Sequence, residues 1–430
     1  MKILKKYVLF ILVAGLGISF TACSFLGGIL HGKPDIGDQK YFEQDPIPAG
    51  DHPFRFVKGN DSTWKKMKFQ VSYAGKLVVN TSLDTLFSYT TTHAFIIIRN
   101  DSVLFERYYR GYDRHTPSLL FSVSKTLTCL LAEIAMDEGK IASIDDPVVK
   151  YAPELAEGDP MWKQVTIRHL MDMRAGIKFN ENYGNRSPFG KMARLYYGRN
   201  NLGQIKKMKF ECEPGTESNY QSISTNVLGL VIERATGKPL ARYMEEKVWK
   251  PLGMEYDASL SLDSKKHRFP KAFGGFSATA TDLAKIGRLY LNNGNWNGRQ
   301  IIDSVWIKES SVPNFENYGY QLSWRSIRNT VMDTAKNVFF PDSLAVVNRI
   351  KELGGKLSEY VIVKAGKKER GAKKDTWTGF NYNADAYYAV GILDQVIYIH
   401  PAKRIIMVRL GKEDKIYDYP YVMHRLSDFF

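Results

Sequence analysis

The chain has 430 residues, 44% of them apolar and 24% charged, with a formal net charge of +15 and three cysteines. That length and balance suit a globular protein with a sizeable core and give no sign of a disulfide framework, a repeat or a low-complexity tract. The eight histidines are scattered without His-x-His or His-Glu-x-x-His, and no glycine-rich phosphate loop follows a strand. Zinc-hydrolase and P-loop chemistry therefore find no support, and neither a metal nor a cofactor is expected.

At the N-terminus Lys2, Lys5 and Lys6 precede an apolar run from Tyr7 to Phe20 that ends in Thr21-Ala22-Cys23. This is the pattern of a signal peptide over 1–22, and the run is short for a transmembrane helix. A cysteine directly after small residues resembles the lipobox of bacterial lipoproteins, with Phe20 in place of the usual aliphatic residue. The resemblance implies lipidation of Cys23 and a lipid anchor in the bacterial cell envelope. Residues 23–54 are rich in Gly, Pro and Asp and read as a tether, ahead of one domain over 55–430. Without the three signal lysines the net charge falls from +15 to +12, and the excess clusters at Lys206, Lys207 and Lys209 and at Lys364, Lys367, Lys368, Arg370, Lys373 and Lys374. For an exported protein, anionic headgroups, envelope polymers or plain solvation suit these clusters better than nucleic acid.

Met67, Phe69, Val71 and Tyr73 alternate as in a strand, just after Ser62-Thr63-Trp64-Lys65. Two further strands, Phe95 to Ile98 and Val103 to Tyr108, flank a turn at Asn100-Asp101. Then comes Ser122-Val123-Ser124-Lys125, followed by Leu127, Leu130, Leu131, Ile134 and Ala135 at helical spacing as far as Gly139. Residues i and i+3 at a helix start share a face, so the Lys125 amine can reach the Ser122 hydroxyl. Burial favours the neutral form of an amine, which is the form that accepts a serine proton, and the free N–H groups of a helix N-terminus can stabilise a carbonyl oxygen under attack. An ordinary serine at a helix start gives the same local pattern. The Ser62 copy lacks the helix and is set aside. Cys129 falls within this helix as a buried free thiol, and Cys212 has no evident partner.

Pro214 to Ser222 reads as a turn and exposed loop that presents Tyr220 and Ser222 on one side, before a helix from Asn226 to Ala235 that stops at Gly237. A tyrosine beside a neutral lysine can relay a proton. Strands follow at Val396 to Ile399 and Ile405 to Leu410.

Phe121 to Thr126, Val165 to Leu170 with Ala175-Gly176, Pro214 to Gly229, and Gly275 to Ala280 with Asp282-Leu283 stand in the order found in the β-lactamase-related serine hydrolases, which the chain resembles from about Ala94 to Gly411. This is the class C β-lactamase and penicillin-binding-protein group, and Tyr220-Gln221-Ser222 is most similar to its esterase and 6-aminohexanoate-dimer hydrolase branch. The resemblance implies an α+β fold in which both chain ends build an antiparallel sheet flanked by helices. A mainly helical subdomain is expected at about 140–270 and a divergent insertion at about 325–375. It also implies roles: Ser122 as acylated nucleophile, Lys125 as base, Tyr220 as proton shuttle, and Ser222 in support where relatives carry Asn. The backbone N–H groups of Ser122 and Ile392 would form the oxyanion hole, and Tyr183 would contact substrate.

The third family motif, on an edge strand, falls at Tyr388-Ala389-Val390-Gly391-Ile392. It makes Ala389 and Gly391 substrate-binding positions, with Ala389 where relatives carry a cation for the substrate carboxylate. Relatives often have Gly before Gln395, where this chain has Asp394, read as a turn residue. The expected activity is cleavage of a small ester or amide through a Ser122 acyl-enzyme. Peptidoglycan DD-peptidase or β-lactamase activity is the alternative, opposed by Ala389, and a non-catalytic envelope-binding protein is a second.

Overall fold

A computed structural model describes residues 33–59, 63–66, 69–73, 76–181, 190–332, 339–364, 376–413 and 418–430. The signal segment, Cys23, Ser62 and Tyr183 lie outside the described residues, as does most of the second basic cluster.

The main sheet has nine strands: β1 (Val57–Lys58), β2 (Thr92–Arg99), β3 (Ser102–Tyr108), β4 (Tyr320–Gln321), β5 (Trp324–Thr330), β6 (Val361–Lys364), β7 (Trp377–Gly391), β8 (Gln395–His400) and β9 (Ile405–Gly411). Their order is β4-β5-β7-β8-β9-β2-β3-β1, with β6 also paired to β7 and every pairing antiparallel except β1 with β3. Both ends of the chain thus meet in one sheet, as the resemblance implies. β8 and β9 sit at its centre and are buried along their whole length. Such continuous apolar runs are what a strand covered on both faces requires.

One face packs on α1 (Val123–Asp137) and α3 (Ala280–Leu291), with α2 (Ser222–Thr236) laid against α1, and the other on α4 (Tyr419–Ser427) and the helix Leu83–Tyr89. The β2–β3 turn is where the sequence puts it, with Asn100 and Asp101 both left-handed (φ 49° and 61°). That is the backbone of a two-residue hairpin, and Asn and Asp tolerate it well.

Three expectations need correction. Residues 33–54 are not simply a tether: Ile36 and Asp38 are buried, Tyr196 donates to the Asp38 carboxylate at 2.8 Å, and Gln44–Ile47 pairs with Ala258–Ser261 in a second, four-stranded sheet. Turn-rich composition conceals such docking because a short strand needs only a partner edge. The stretch 325–375, expected as a divergent insertion, is integral to the main sheet, since it contributes most of β5 and all of β6. Ser222 is not in an exposed loop but is the first residue of α2 and is fully buried.

Two of the recognised motifs build the scaffold. Thr166 and His169 form a capping box at the helix Ile167–Met171, while Arg168 reaches Glu309 at 2.6 Å. Thr279 caps α3, and Asp282 accepts from the backbone N–H groups of Glu255 and Tyr256 at 2.7 and 3.1 Å.

The turn from β7 to β8 is tight and unusual. Leu393 and Asp394 have φ of 63° and 60° without either being glycine. Two buried side chains hold them there. Arg409, fully buried, donates to the carbonyls of Asp394 at 2.7 Å and Lys412 at 3.1 Å, and Gln395 donates to those of Leu393 at 3.0 Å and Gly411 at 2.6 Å. The aspartate is therefore a turn residue at a position suited to glycine, which accounts for the departure seen in the sequence. Asp394→Val should lower unfolding stability in urea by about 1–2 kcal/mol, the cost of left-handed backbone for a side chain branched at Cβ, whereas Asp394→Gly should be tolerated.

Candidate active site

The site begins where the short strand Ser118–Leu119 turns into α1. Phe121 lies between them in left-handed conformation at φ 47°, buried and not glycine. Strained backbone of this kind persists only where its surroundings over-determine it. Ser122 follows with helical angles (φ −66°, ψ −10°), and its hydroxyl caps no backbone N–H. A serine that only starts a helix would have extended angles and a capping hydrogen bond. Here the hydroxyl is left for Lys125.

Lys125 is 1% exposed, on a helix whose first thirteen residues are all buried. Its Nζ lies 3.0 Å from Ser122 Oγ, 3.1 Å from Ser222 Oγ and 3.0 Å from the Phe273 carbonyl oxygen. It also stands 5.0 Å from the centre of the Tyr220 ring. Among the described residues no carboxylate comes within ion-pair distance of it. The sequence spacing and the Tyr220 to Ser222 segment are thus brought to one amine.

Glu181 completes the chain of contacts and was not found by sequence reasoning. Its carboxylate accepts from the Ser222 hydroxyl at 2.5 Å and from the Ser222 backbone N–H at 2.8 Å. The N-terminus of α2 favours an anion at that spot. Because the Ser222 hydroxyl donates its proton to Glu181, its oxygen lone pairs remain to accept from Lys125. Nothing in the local sequence around Glu181 announces this, apart from its place two residues before Tyr183. The Phe273 carbonyl was equally invisible, although it stands two residues before the recognised Gly275 block.

Gly391, at the end of β7, passes over the backbone of Ser122. A Cβ there would lie 2.5 Å from the Leu120 carbonyl oxygen and 3.0 Å from Ser122 N, so only glycine fits without displacement. Ile392 follows it into the Arg409-braced turn. Ala389 is placed differently from expectation: it is 3% exposed and belongs to the core cluster that contains Phe121, Val123 and Leu127. Its small side chain is core packing rather than a wall of an open cleft. Tyr388 pairs with Arg325 of β5 on one side and Tyr398 of β8 on the other, whereas Ala389, Val390 and Gly391 pair only with β8. The edge-strand reading therefore holds for those three residues and not for the strand as a whole.

Tyr220 packs edge-on against Tyr320, ring centres 6.0 Å apart, and the Arg325 guanidinium carbon lies 5.0 Å from the first ring and 5.1 Å from the second. Burial pushes the Tyr320 hydroxyl and the Cys129 thiol above their ordinary values. Cys129 and Cys212 are both free. Among the described residues no group of three His, Cys, Asp or Glu side chains is placed to hold a metal ion, and no helix is long and apolar enough to cross a membrane.

Comparison with known proteins agrees with this geometry. Residues 90–329 match the family model described as Beta-lactamase. Among curated proteins, the 6-aminohexanoate-dimer hydrolase of Paenarthrobacter ureafaciens is 31% identical over 231 residues, 51% of this chain and 57% of that protein. A D-alanyl-D-alanine carboxypeptidase homologue of Escherichia coli K12 is 26% identical over 242 residues, 46% of this chain and 55% of that protein. The chain thus spans little more than half the length of either. Among solved structures, a 6-aminohexanoate-dimer hydrolase homologue from Bacillus anthracis superposes with a TM-score of 0.67 at 22% identity, covering 91% of this chain and 93% of its own. A β-lactamase homologue from Bacteroides dorei gives 0.55 at 18% identity, covering 80% and 94%. These superpositions establish a shared β-lactamase/transpeptidase-like fold. With more than half of its length matched by the family model, and with the Ser122 and Lys125 pair at the start of a buried helix, the chain belongs to the Beta-lactamase family.

Proposed function

We propose that the protein is a serine hydrolase that cleaves a small ester or amide through an acyl-enzyme on Ser122. The observation that carries this reading is a serine hydroxyl that caps nothing and lies 3.0 Å from a buried lysine without a carboxylate partner. For the serine to lose its proton the amine must accept it. Its two N–H bonds then serve the Phe273 carbonyl and Ser222 Oγ, and its lone pair faces Ser122.

Attack by Ser122 Oγ on the substrate carbonyl forms a C–O bond while the proton passes to Lys125. The developing oxyanion is assigned to the backbone N–H groups of Ser122 and Ile392, with Gly391 making room. As the bond from the carbonyl carbon to the leaving group breaks, Tyr220, over which the amine sits, gives its hydroxyl proton to the leaving group and is reprotonated by the Lys125 ammonium, which returns the amine to its neutral form. Water then attacks the acyl-serine and the acid departs. Glu181 is a positioning residue that fixes Ser222 and so the amine. Lipidation at Cys23 would place this activity at the cell envelope.

One relative favours a second reading, peptidoglycan DD-peptidase or β-lactamase activity, since the Escherichia coli homologue carries the name of a D-alanyl-D-alanine carboxypeptidase. Against it stands Ala389, where carboxylate-binding relatives carry a cation.

A fluorophosphonate probe should label the wild-type protein and not Ser122→Ala; equal labelling of the two would remove Ser122 as nucleophile. Lys125→Ala should lower kcat for p-nitrophenyl esters by about a hundredfold or more, the usual scale of a lost general base. Glu181→Gln keeps the shape but weakens a charge-assisted hydrogen bond, so kcat should fall about tenfold with little change in KM. A Glu181→Gln enzyme with unaltered kcat would reduce that carboxylate to a structural cap of α2. Rapid acylation of Ser122 by penicillin, with no ester turnover, would favour the second reading.

A further inference from the structure

We infer that residues 35–47 form a strap across the catalytic scaffold, and that Asp35 and Ile36 are positioning residues for the two backbone N–H groups assigned to the oxyanion. The inference rests on the acyl-transfer reading of Ser122 and deepens it.

Two neighbouring residues bridge the two halves of the oxyanion site. On one half, the Ile36 carbonyl accepts from the backbone N–H of Leu119 at 3.1 Å, in the short strand that turns into Ser122. The next residue, Leu120, donates to the Phe276 carbonyl at 2.8 Å. The strand that delivers the nucleophile is thus tied on two sides, and the strap supplies one tie. On the other half, the Asp35 carboxylate accepts from the Lys412 ammonium at 2.5 Å. Lys412 directly follows β9, and its carbonyl accepts from Arg409, whose guanidinium also holds the Asp394 carbonyl. Ile392 opens the turn that this arginine braces. Because consecutive Cα atoms are about 3.8 Å apart, the step from Asp35 to Ile36 sets the spacing of two segments that also meet at Gly391.

The rest of the strap is firmly docked. The buried Asp38 carboxylate accepts from the Tyr196 hydroxyl at 2.8 Å and from the Asp35 backbone N–H at 3.0 Å. Phe42 packs edge-on against Tyr196 with ring centres 5.3 Å apart, and the Lys271 ammonium lies 4.7 Å from the centre of the Phe42 ring. The four-stranded sheet runs from Gln44–Ile47 through Ala258–Ser261 and Phe276–Ala278 to Ser118–Leu119. One segment therefore grips both edges of that sheet, with its own strand at one and Ile36 at the other. Residues 38–47 dock the segment, and Asp35 and Ile36 carry it on to the places where the left-handed backbone of Phe121 and of Leu393-Asp394 must be held.

Energetics separate positioning from plain stabilisation. Asp35 and Lys412 are each 44% exposed, so their pair adds little to folding stability. A small change in the spacing of the two segments matters far more to catalysis, because an oxyanion donor acts only when it is aimed at the developing charge.

The full-length protein and p-nitrophenyl butyrate test this. Asp35→Asn should lower kcat about threefold and Ile36→Ala about tenfold, with KM changed by less than about twofold. Both should weaken, by similar factors, an aryl trifluoromethyl ketone whose adduct with Ser122 puts an oxyanion at the two N–H groups. Asp35→Lys should be slower still, and adding Lys412→Asp should restore most of the rate. With Ser122 essential, an unchanged kcat in both Asp35→Asn and Ile36→Ala would overturn the positioning role.

Hydrogen exchange needs no turnover and separates the two readings. In Asp35→Asn the peptides that cover Leu119 to Ser122 and Ile392 to Gln395 should exchange faster than in the wild type, with β3 unaffected. Faster exchange in both peptides, together with full esterase activity in Ser122→Ala, would keep the strap and overturn the nucleophile. Unaltered exchange in either peptide would overturn the strap even if Ser122 proves essential.

Discussion

Burial of one amine organises this molecule. Lys125 sits on a helix enclosed on every side, and taking an amine out of water is tolerable only where polar atoms replace the lost hydration. Three oxygens do so: two hydroxyls and a main-chain carbonyl. The choice of partners matters more than their number. A carboxylate in direct contact with an amine stabilises its charged form and opposes its use as a base. Here the carboxylate, Glu181, is set one hydroxyl away, on the far side of Ser222. It orients the oxygen that faces the amine without pairing with the amine itself. α1, α2 and the segment around Phe273 must therefore be held in register, and the packing of the helical layer on the sheet serves that end.

Two of the left-handed segments stand where backbone approaches backbone beside Ser122. Phe121 is left-handed immediately before Ser122, and Leu393 and Asp394 are left-handed just after Ile392. The two segments meet at Gly391, which touches Leu120 and Ser122 so closely that no side chain fits between. Each left-handed residue other than glycine costs of order 1 kcal/mol. At the second site the cost is offset by Arg409, a charge enclosed beneath the turn whose hydrogen bonds go to Asp394, Lys412 and Thr92 and whose guanidinium carbon lies 3.7 Å from the centre of the Tyr419 ring. A relaxed turn would lengthen this approach and separate the two N–H groups assigned to the oxyanion.

Features that depend on neighbours in sequence were legible in it. The Ser122 to Lys125 spacing, the helix to Gly139, the Asn100-Asp101 hairpin and the central strands follow from periodicity and turn chemistry, which act over a few residues. Those that depend on distant partners were not. Glu181 becomes significant only when α2 begins at Ser222, 41 residues later. Ala389 illustrates the converse: the motif located it correctly on the strand, but which face of a strand meets the core is decided by the helices laid against it. The docking of residues 33–54 was hidden because Pro and Gly, which suggest a tether, are as compatible with an extended edge strand.

The approach of β7 to Ser122 follows from where its pairing with β5 ends. In an antiparallel sheet a strand paired on both sides offers its backbone to no ligand, so an extra strand beside the third family motif would ordinarily close the site. β5 does not close it, because its pairing stops at Arg325, three residues short of Gly391. Ala389, Val390 and Gly391 are therefore paired with β8 alone, and it is this short stretch that reaches the backbone of Ser122.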